Sequence, residues 1–148
     1  MKLLLVVLGA GWLAVACATA AGDGPPAIAL DRTACQRCGM LISEPVYAAA
    51  LRAPGADAQA FDDIGCLLAA AAGHTEPGLR IWVHDAVSRE WIDGATASFV
   101  SAPALRTPMG GGVVAFARRA DAEAHARKYD GATVNTVASL LAAHRGRQ

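Results

Sequence analysis

Short apolar stretches separated by turn residues run along most of this chain, and their periodicity predicts a mixed α+β fold. In the first half the predicted elements follow in the order strand, strand, helix, strand. Asp62 or Asp63 is the predicted N-cap of the helix, and Gly73 follows its last turn. The four predicted elements cover residues 46–51, 59–61, 64–72 and 79–83.

The second half repeats this order of elements with little repetition of sequence. Short extended stretches lead into a glycine-rich loop, then a strand, a polar helix and another strand, and a helix with an apolar face ends the chain. The prediction is therefore two ββαβ-type units plus a C-terminal helix. The elements of this half cover residues 91–92, 98–100, 113–116, 120–129, 133–134 and 137–144, with the loop at 103–112.

The first 16 residues have the pattern of a secretory signal peptide. Lys2 provides a basic start, residues 3–15 are apolar and interrupted only by glycines, and small residues surround Cys17. The apolar run is shorter than the roughly 20 residues of a membrane-spanning helix. Residues 13–17 resemble a lipobox whose leucine lies one place early. We therefore expect lipidation of Cys17, with ordinary cleavage at Ala14-Val15-Ala16 or Ala16-Cys17-Ala18 as the alternative.

The rest of the chain divides into a linker and a domain. Residues 17–32 contain small residues and Gly-Pro-Pro, so we interpret them as a lipid-anchored linker. Residues 33–148 have the length of one domain, with the two units at approximately 33–90 and 91–148. This organisation predicts an exported protein that faces the periplasm and is anchored to the inner or outer membrane.

Charge and motifs exclude several classes of function. Thirteen acidic and thirteen basic residues leave no net charge, so nothing suggests binding to nucleic acid. The basic residues late in the chain are interleaved with acidic ones, as on a solvated helix face. The chain also lacks a nucleophile elbow, a phosphate-binding loop, an HExxH motif and a Rossmann glycine pattern. We therefore interpret it as a binding protein and not as an enzyme.

The most informative stretch is CQRCGM, which places two thiols and a thioether within residues 35–40. Soft sulfur donors select soft ions, and Cu(I) is the soft ion expected outside the cytoplasm. Gly39 allows a tight turn in which Cys38 and Met40 face one centre. Met109 lies in a glycine-rich loop, where it is either a further thioether donor or a packing residue.

Other uses of the cysteines stay open at this point. A Cys35–Cys38 disulfide suits an oxidising compartment, whereas a redox Cys-x-x-Cys motif needs a preceding strand that the pattern lacks. Structural zinc would need four ligands, including Cys66 and a histidine. We interpret Cys66 itself as a core residue on an apolar helix face. Asp62 and Asp63 could form a catalytic acid pair, although helix capping explains them with fewer assumptions.

The four histidines give no clear ligand. His74 lies at a helix end and His84 at a strand end, while His125 and His144 fall in exposed helical patterns and are predicted at the surface.

The sulfur motif and four later segments together resemble the NosL family, the accessory lipoproteins of bacterial nitrous oxide reductase assembly. They occur in the family's order and span most of the predicted domain. The segments are CQRCGMLI (35–42), FDDIGC (61–66), IWVHD (81–85), WIDGATASFV (91–100) and TPMGGGVVAF (107–116).

The resemblance implies a periplasm-facing copper chaperone with two related ββαβ units. It implies Cys38 and Met40 as the core Cu(I) ligands, Cys35 and Met109 as nearby candidates, and a histidine ligand that no position here matches clearly. It also implies delivery of Cu(I) to the machinery that builds the copper–sulfur centre of the reductase, which includes a periplasmic partner and a membrane ABC transporter. An extracytoplasmic thiol–disulfide oxidoreductase that uses Cys35, Cys38 and Cys66 is the alternative.

Overall fold

The computed structural model describes residues 24–146, so the predicted signal peptide (1–16), Cys17 and residues 18–23 of the predicted linker lie outside the described residues. The described chain combines helices with two antiparallel sheets, which confirms the predicted α+β class. Its elements are β1 Ala49–Arg52, β2 Gln59–Phe61, α1 Ile64–Ala71, β3 Arg80–His84, β4 Trp91–Asp93, β5 Ser98–Ser101, β6 Val113–Phe116, α2 Arg119–Ala126, β7 Thr133–Asn135 and α3 Val137–Arg145.

The predicted order of elements is the observed order, and the clearest difference lies at the first strand. That strand was predicted over residues 46–51 but begins at Ala49, because Pro45–Tyr47 forms a single 3-10 turn. Proline has a fixed φ and no backbone N–H, which favours it in the first turn of a helix. The turn closes with a hydrogen bond from the Ala48 N–H to the Pro45 carbonyl at 3.0 Å.

The first sheet has the strand order β2-β1-β3-β4, with every neighbouring pair antiparallel. Side chains alternate between its two faces. Leu51 lies opposite Ile81, and Ala49 lies opposite Val83 on one side and Phe61 on the other. These five residues are buried in one hydrophobic cluster with the apolar side chains of α1, so α1 covers that face of the sheet.

The second sheet has the order β6-β5-β7 and is also antiparallel. The two sheets separate between β4 and β5. The approximate boundary at residue 90 that the sequence predicts between the two units lies directly before β4. Strand β4 pairs with β3 because a short turn joins them, closed by the Asp85 N–H donating to the Glu90 carbonyl at 2.9 Å. Consecutive strands with so short a connection pair side by side.

One core runs through both units. The cluster under the first sheet also contains Phe99, Val113 and Ala115 from the second sheet. Helix α3 packs against this cluster through partly buried apolar residues, while α2 covers the opposite face of the second sheet through Ala122. The shared core therefore determines where the loops of the two units meet.

None of the helices in residues 24–146 has the length and hydropathy of a membrane-spanning segment.

Candidate metal centre

Three cysteines from two parts of the chain meet at the edge of the core. The sulfur atoms of Cys35, Cys38 and Cys66 all lie within 4.8 Å of one another. All three are free thiols, with Cys35 and Cys66 buried and Cys38 half-buried. Thiolates are soft ligands, so this group has the chemistry and the spacing to hold one soft metal ion.

The loop that carries the first two cysteines is closed on itself. The Cys35 N–H donates to the Met40 carbonyl at 2.8 Å, and the Gly39 N–H donates to the Cys35 carbonyl at 3.0 Å. Gly39 has a φ of +75°, which glycine adopts without steric cost. The Gln36 N–H donates to the Ala60 carbonyl at 3.0 Å, so the loop is attached to β2. The turn therefore holds Cys35 and Cys38 beside the start of α1.

Cys66 lies in the first turn of α1, whose N-cap is Asp63. The Gly65 N–H donates to Asp63 Oδ1 at 2.6 Å, so Asp63 is the capping residue that the sequence left undecided between two aspartates. Cys66 is 7% exposed and packs in the main core cluster, as predicted, yet it also faces the other two sulfur atoms. This second role appears in the sequence analysis only within the zinc and oxidoreductase alternatives, because helical periodicity identifies a buried face but not the loop that lies against it.

The pKa values of the Cys35 and Cys66 thiols are shifted in opposite directions. Burial raises the pKa of Cys35, but the backbone N–H groups of Cys38, Asp62 and Arg37 point at its sulfur, and the net effect is a lowered pKa. Burial, together with the nearby charges of Cys35 and Cys38, raises the pKa of Cys66 to about 12. The Cys66 thiol therefore keeps its proton at neutral pH until a bound cation displaces it.

A cavity of about 880 Å³ adjoins the cysteines. Cys38, Cys66 and Met109 contribute its sulfur-bearing wall. Much of the remaining wall is polar and comes from the second unit, namely Ser101, Thr133, Asn135, Ser139 and His144. Because Cys38 is half-buried and borders this space, a metal on the cysteines would be accessible from the cavity. Such an opening permits ligand exchange.

The two predicted methionine ligands occupy different surroundings. Met109 is 47% exposed and lines the cavity with Cys38 and Cys66. Met40 is 58% exposed and is not among the described residues that line the cavity, although it follows Cys38 by two positions. The structure thus brings Cys35 and Cys38 together and puts Met109 beside the same space. The assignment of all four residues as ligands stays a prediction.

Asp62 does not join Asp63 as a catalytic acid pair. Both oxygens of Asp63 accept hydrogen bonds from protein donors. Asp62 is buried, its Oδ1 has no hydrogen-bond partner, and burial is the main reason that its pKa is raised. Capping therefore accounts for Asp63, and Asp62 remains a partly satisfied buried carboxyl.

Of the four histidines, His144 is the one that borders the sulfur-bearing cavity. His84 is buried, hydrogen-bonds the Ala48 carbonyl through Nδ1 at 3.0 Å and packs on Trp91. His74 hydrogen-bonds Glu76 at 2.6 Å. His125 packs between two aromatic rings. Both His125 and His144, which were predicted at the surface, are half-buried.

The chain was compared with protein-family models, curated sequences and solved structures. A protein-family model described as NosL matches residues 26–139, a range that includes the three cysteines and both methionines but ends before His144. The crystal structure of the copper chaperone NosL from Shewanella denitrificans superposes with a TM-score of 0.61 at 21% identity. The match covers 76% of this chain and 93% of that chain, and at this identity it shows a shared fold. No curated protein sequence matches significantly.

Proposed function

Because the chain belongs to the NosL family, as the sequence resemblance indicated, we propose that it is an extracytoplasmic copper chaperone and not an enzyme. One observation carries the proposal: three thiol sulfur atoms lie within 4.8 Å of one another beside an open cavity. The cargo is Cu(I), which prefers thiolate and thioether donors. The solved NosL protein of similar fold is named a copper chaperone, which supports the same assignment here.

The proposed ligands of Cu(I) comprise buried or half-buried cysteines and exposed methionines. Cys38 and Met40 remain the proposed core ligands, with Cys35 and Met109 as further donors. The closeness of its sulfur atom to those of Cys35 and Cys38 supports Cys66 as a further ligand. Buried thiolates retain the ion, whereas the neutral and exposed thioethers of Met40 and Met109 are the first donors that an incoming ligand can displace.

Structural zinc fits the arrangement less well. Structural zinc sites are closed and four-coordinate, usually with cysteine and histidine ligands. The group of close donors found among the described residues contains three cysteines and no histidine, and two of these cysteines, Cys38 and Cys66, border a large cavity. An open soft site suits a metal that must be passed on.

Delivery is the finer part of the proposal. The protein passes Cu(I) to the machinery that assembles the copper–sulfur centre of nitrous oxide reductase, through a periplasmic partner and a membrane ABC transporter. A lipid on Cys17 would hold the folded domain near that transporter. Family membership supports this destination.

The second candidate function is a thiol–disulfide oxidoreductase. The lowered pKa of Cys35 beside a half-buried Cys38 favours it, since a low-pKa thiol is the more reactive one. Such an enzyme would act without either methionine. Thiol-dependent turnover that persists after Met40→Leu and Met109→Leu would support this candidate.

The test of delivery uses a denitrifying strain that lacks the chaperone and grows with limited copper. Expression of this protein is expected to restore the copper content of purified nitrous oxide reductase, whereas the Cys38→Ser variant fails to do so. Gln36→Ala is the matched control, because Gln36 is exposed in the same loop and binds β2 through its backbone. Full restoration by Cys38→Ser would contradict the proposal.

A further inference from the structure

The carboxylate of Asp63 does more than cap a helix. Its side chain is fully buried, and its two oxygens accept four hydrogen bonds. Oδ1 accepts from the Gly65 N–H at 2.6 Å, which is the capping bond. Oδ2 accepts from the Thr107 hydroxyl at 2.6 Å, the Met109 N–H at 2.9 Å and the Gly111 N–H at 3.4 Å. Three of the four donors therefore come from a loop 44 to 48 residues away.

The loop and the helix also touch through their backbones. A Cβ atom added to Gly65 would lie 2.8 Å from the Gly111 Cα, closer than real Cβ contacts. Only glycine at this position permits the approach. The Thr107 hydroxyl donates to Asp63 and accepts from the Gly112 N–H at 3.2 Å, which closes the loop on itself. Residues 107–112 thus form a defined structure built on one carboxylate.

This arrangement connects the two sulfur-bearing segments. The Met109 backbone N–H bonds the same carboxylate that caps the helix of Cys66. Burying a carboxylate is costly unless charge-assisted hydrogen bonds compensate it, and a cap alone uses only one of its oxygens. The remaining oxygen fixes the backbone of Met109 beside the cysteines, at the wall of the shared cavity.

We propose that Asp63 is a positioning residue for copper, which acts by holding Met109 where its thioether can reach an ion on the cysteines. The proposal rests on the proposed copper-binding function. Groups that orient metal ligands typically contribute 10- to 100-fold to metal affinity. Asp63 touches neither the ion nor its sulfur donors in this account, and its effect is transmitted through Met109.

The variant Asp63→Asn separates the two roles of the side chain. An asparagine keeps one carbonyl oxygen for the capping bond and is a good N-cap. Its amide nitrogen is a donor and cannot accept from the three donors of the loop. Asp63→Ser is a second variant, which can also cap the helix but is too short to bond the loop. Thr107→Val removes one donor and leaves the aspartate in place.

The experiment follows the methionine methyl groups by NMR during anaerobic Cu(I) titration of the mature protein labelled with ¹³C at the methionine methyls. In the wild type the Met109 signal should shift as copper binds. In Asp63→Asn the Met109 shift should be lost while the Met40 response persists, and the Cu(I) affinity should fall about 10- to 100-fold. Met40 is the internal control, because it lies outside the loop that Asp63 holds.

A double-mutant cycle tests the route of the effect. If Asp63 acts through Met109, Asp63→Asn should change the Cu(I) affinity little in a Met109→Leu background. An unchanged Met109 shift in Asp63→Asn would overturn the inference, as would an unresponsive Met109 in a wild type whose Met40 responds. If neither methionine of the wild type responds and the titration detects no bound Cu(I), the proposed function itself fails. If the Asp63→Asn protein does not fold, the same titration is carried out on Thr107→Val. An unchanged Met109 shift in Thr107→Val would then overturn the inference.

Discussion

The sulfur atom of Cys66, in the first turn of α1, lies within 4.8 Å of the sulfur atom of Cys38 in the CQRCGM loop. A cysteine that served only to fill the core would have no reason to face two other thiols. Cys66→Ser is therefore expected to weaken Cu(I) binding by more than about 100-fold, above the range for residues that only orient ligands. Competition with a Cu(I) chelator under anaerobic conditions measures this loss.

Cys66→Ala is the control for packing in that measurement. It removes the sulfur without adding a hydroxyl to the core, so both variants should lose affinity if the sulfur binds copper. If Cys66 only packs, Cys66→Ala would lower the free energy of unfolding and leave the Cu(I) affinity unchanged. That pattern would remove Cys66 from the ligand set.

Met40 gives a prediction that separates a copper carrier from a thiol enzyme. Met40→Leu keeps the size and polarity of an exposed apolar side chain but removes the thioether. We expect the Cu(I) affinity to fall at least about tenfold, equivalent to about 1.4 kcal/mol. The neighbouring exposed Leu41 provides the matched control, since Leu41→Ala should leave the affinity unchanged. Equal affinities of wild type and Met40→Leu would exclude Met40 as a ligand.

We expect the contribution of Asp85 to the free energy of unfolding to depend on pH. It is buried, and its carboxylate accepts from the Ala117 N–H at 3.0 Å and from the N–H and hydroxyl of Ser88 at 3.0 and 2.8 Å. Burial raises the pKa of Asp85, but these hydrogen bonds outweigh it and lower the pKa below its usual value. The folded state thus favours the charged form. Its stabilisation is present above the unfolded pKa of about 3.9 and is lost as the pH falls through the lower folded pKa.

Asp85→Asn should therefore reduce the free energy of unfolding by about 1–3 kcal/mol at pH 7. The difference from the wild type should shrink as the pH is lowered below about 4. Urea unfolding at a series of pH values measures it, with Asp57→Asn at an exposed position as the control. A difference that stays constant into strong acid would show that Asp85 contributes through packing and not through its charge.

Gly65 should resist substitution although it lies in a helix. Alanine is the better helix former by about 1 kcal/mol, but its Cβ would lie 2.8 Å from the Gly111 Cα. Overpacking against backbone costs about 1–3 kcal/mol, so Gly65→Ala should lower the midpoint of urea unfolding. Gly73→Ala is the control, because its Cβ would meet only an ordinary contact of 3.6 Å. A Gly65→Ala protein as stable as the wild type would contradict the close approach.

Much of the fold could be predicted from sequence because its elements are local. β2 and β6 occupy the predicted residues, since short apolar runs between turn residues define them without reference to other segments. β1 was displaced by the turn that Pro45 begins, a local effect that the strand pattern concealed. The sheet to which β4 belongs depends on its pairing with β3, which hydrophobic periodicity does not report.

The part of the candidate site that lies within one short segment could also be predicted from sequence. Cys35, Cys38 and Met40 stand in one six-residue motif, and their sulfur chemistry alone suggested copper. Cys66 was interpreted as a core residue because its approach to Cys38 arises only when the loop is bonded to β2. The hydrogen bonds that Asp63 accepts from the loop of Met109 likewise join segments that are distant in sequence, so the spacing of residues along the chain does not predict them.

Copper binding is tested most directly by an anaerobic Cu(I) titration of the reduced mature protein against a competing chelator. The Cys38→Ser and Met40→Leu variants are titrated in parallel. One tightly bound Cu(I) per chain is expected in the wild type, with weaker binding in both variants. Absence of competitive binding, or binding that is indifferent to both substitutions, would contradict the assignment of this protein as a copper chaperone.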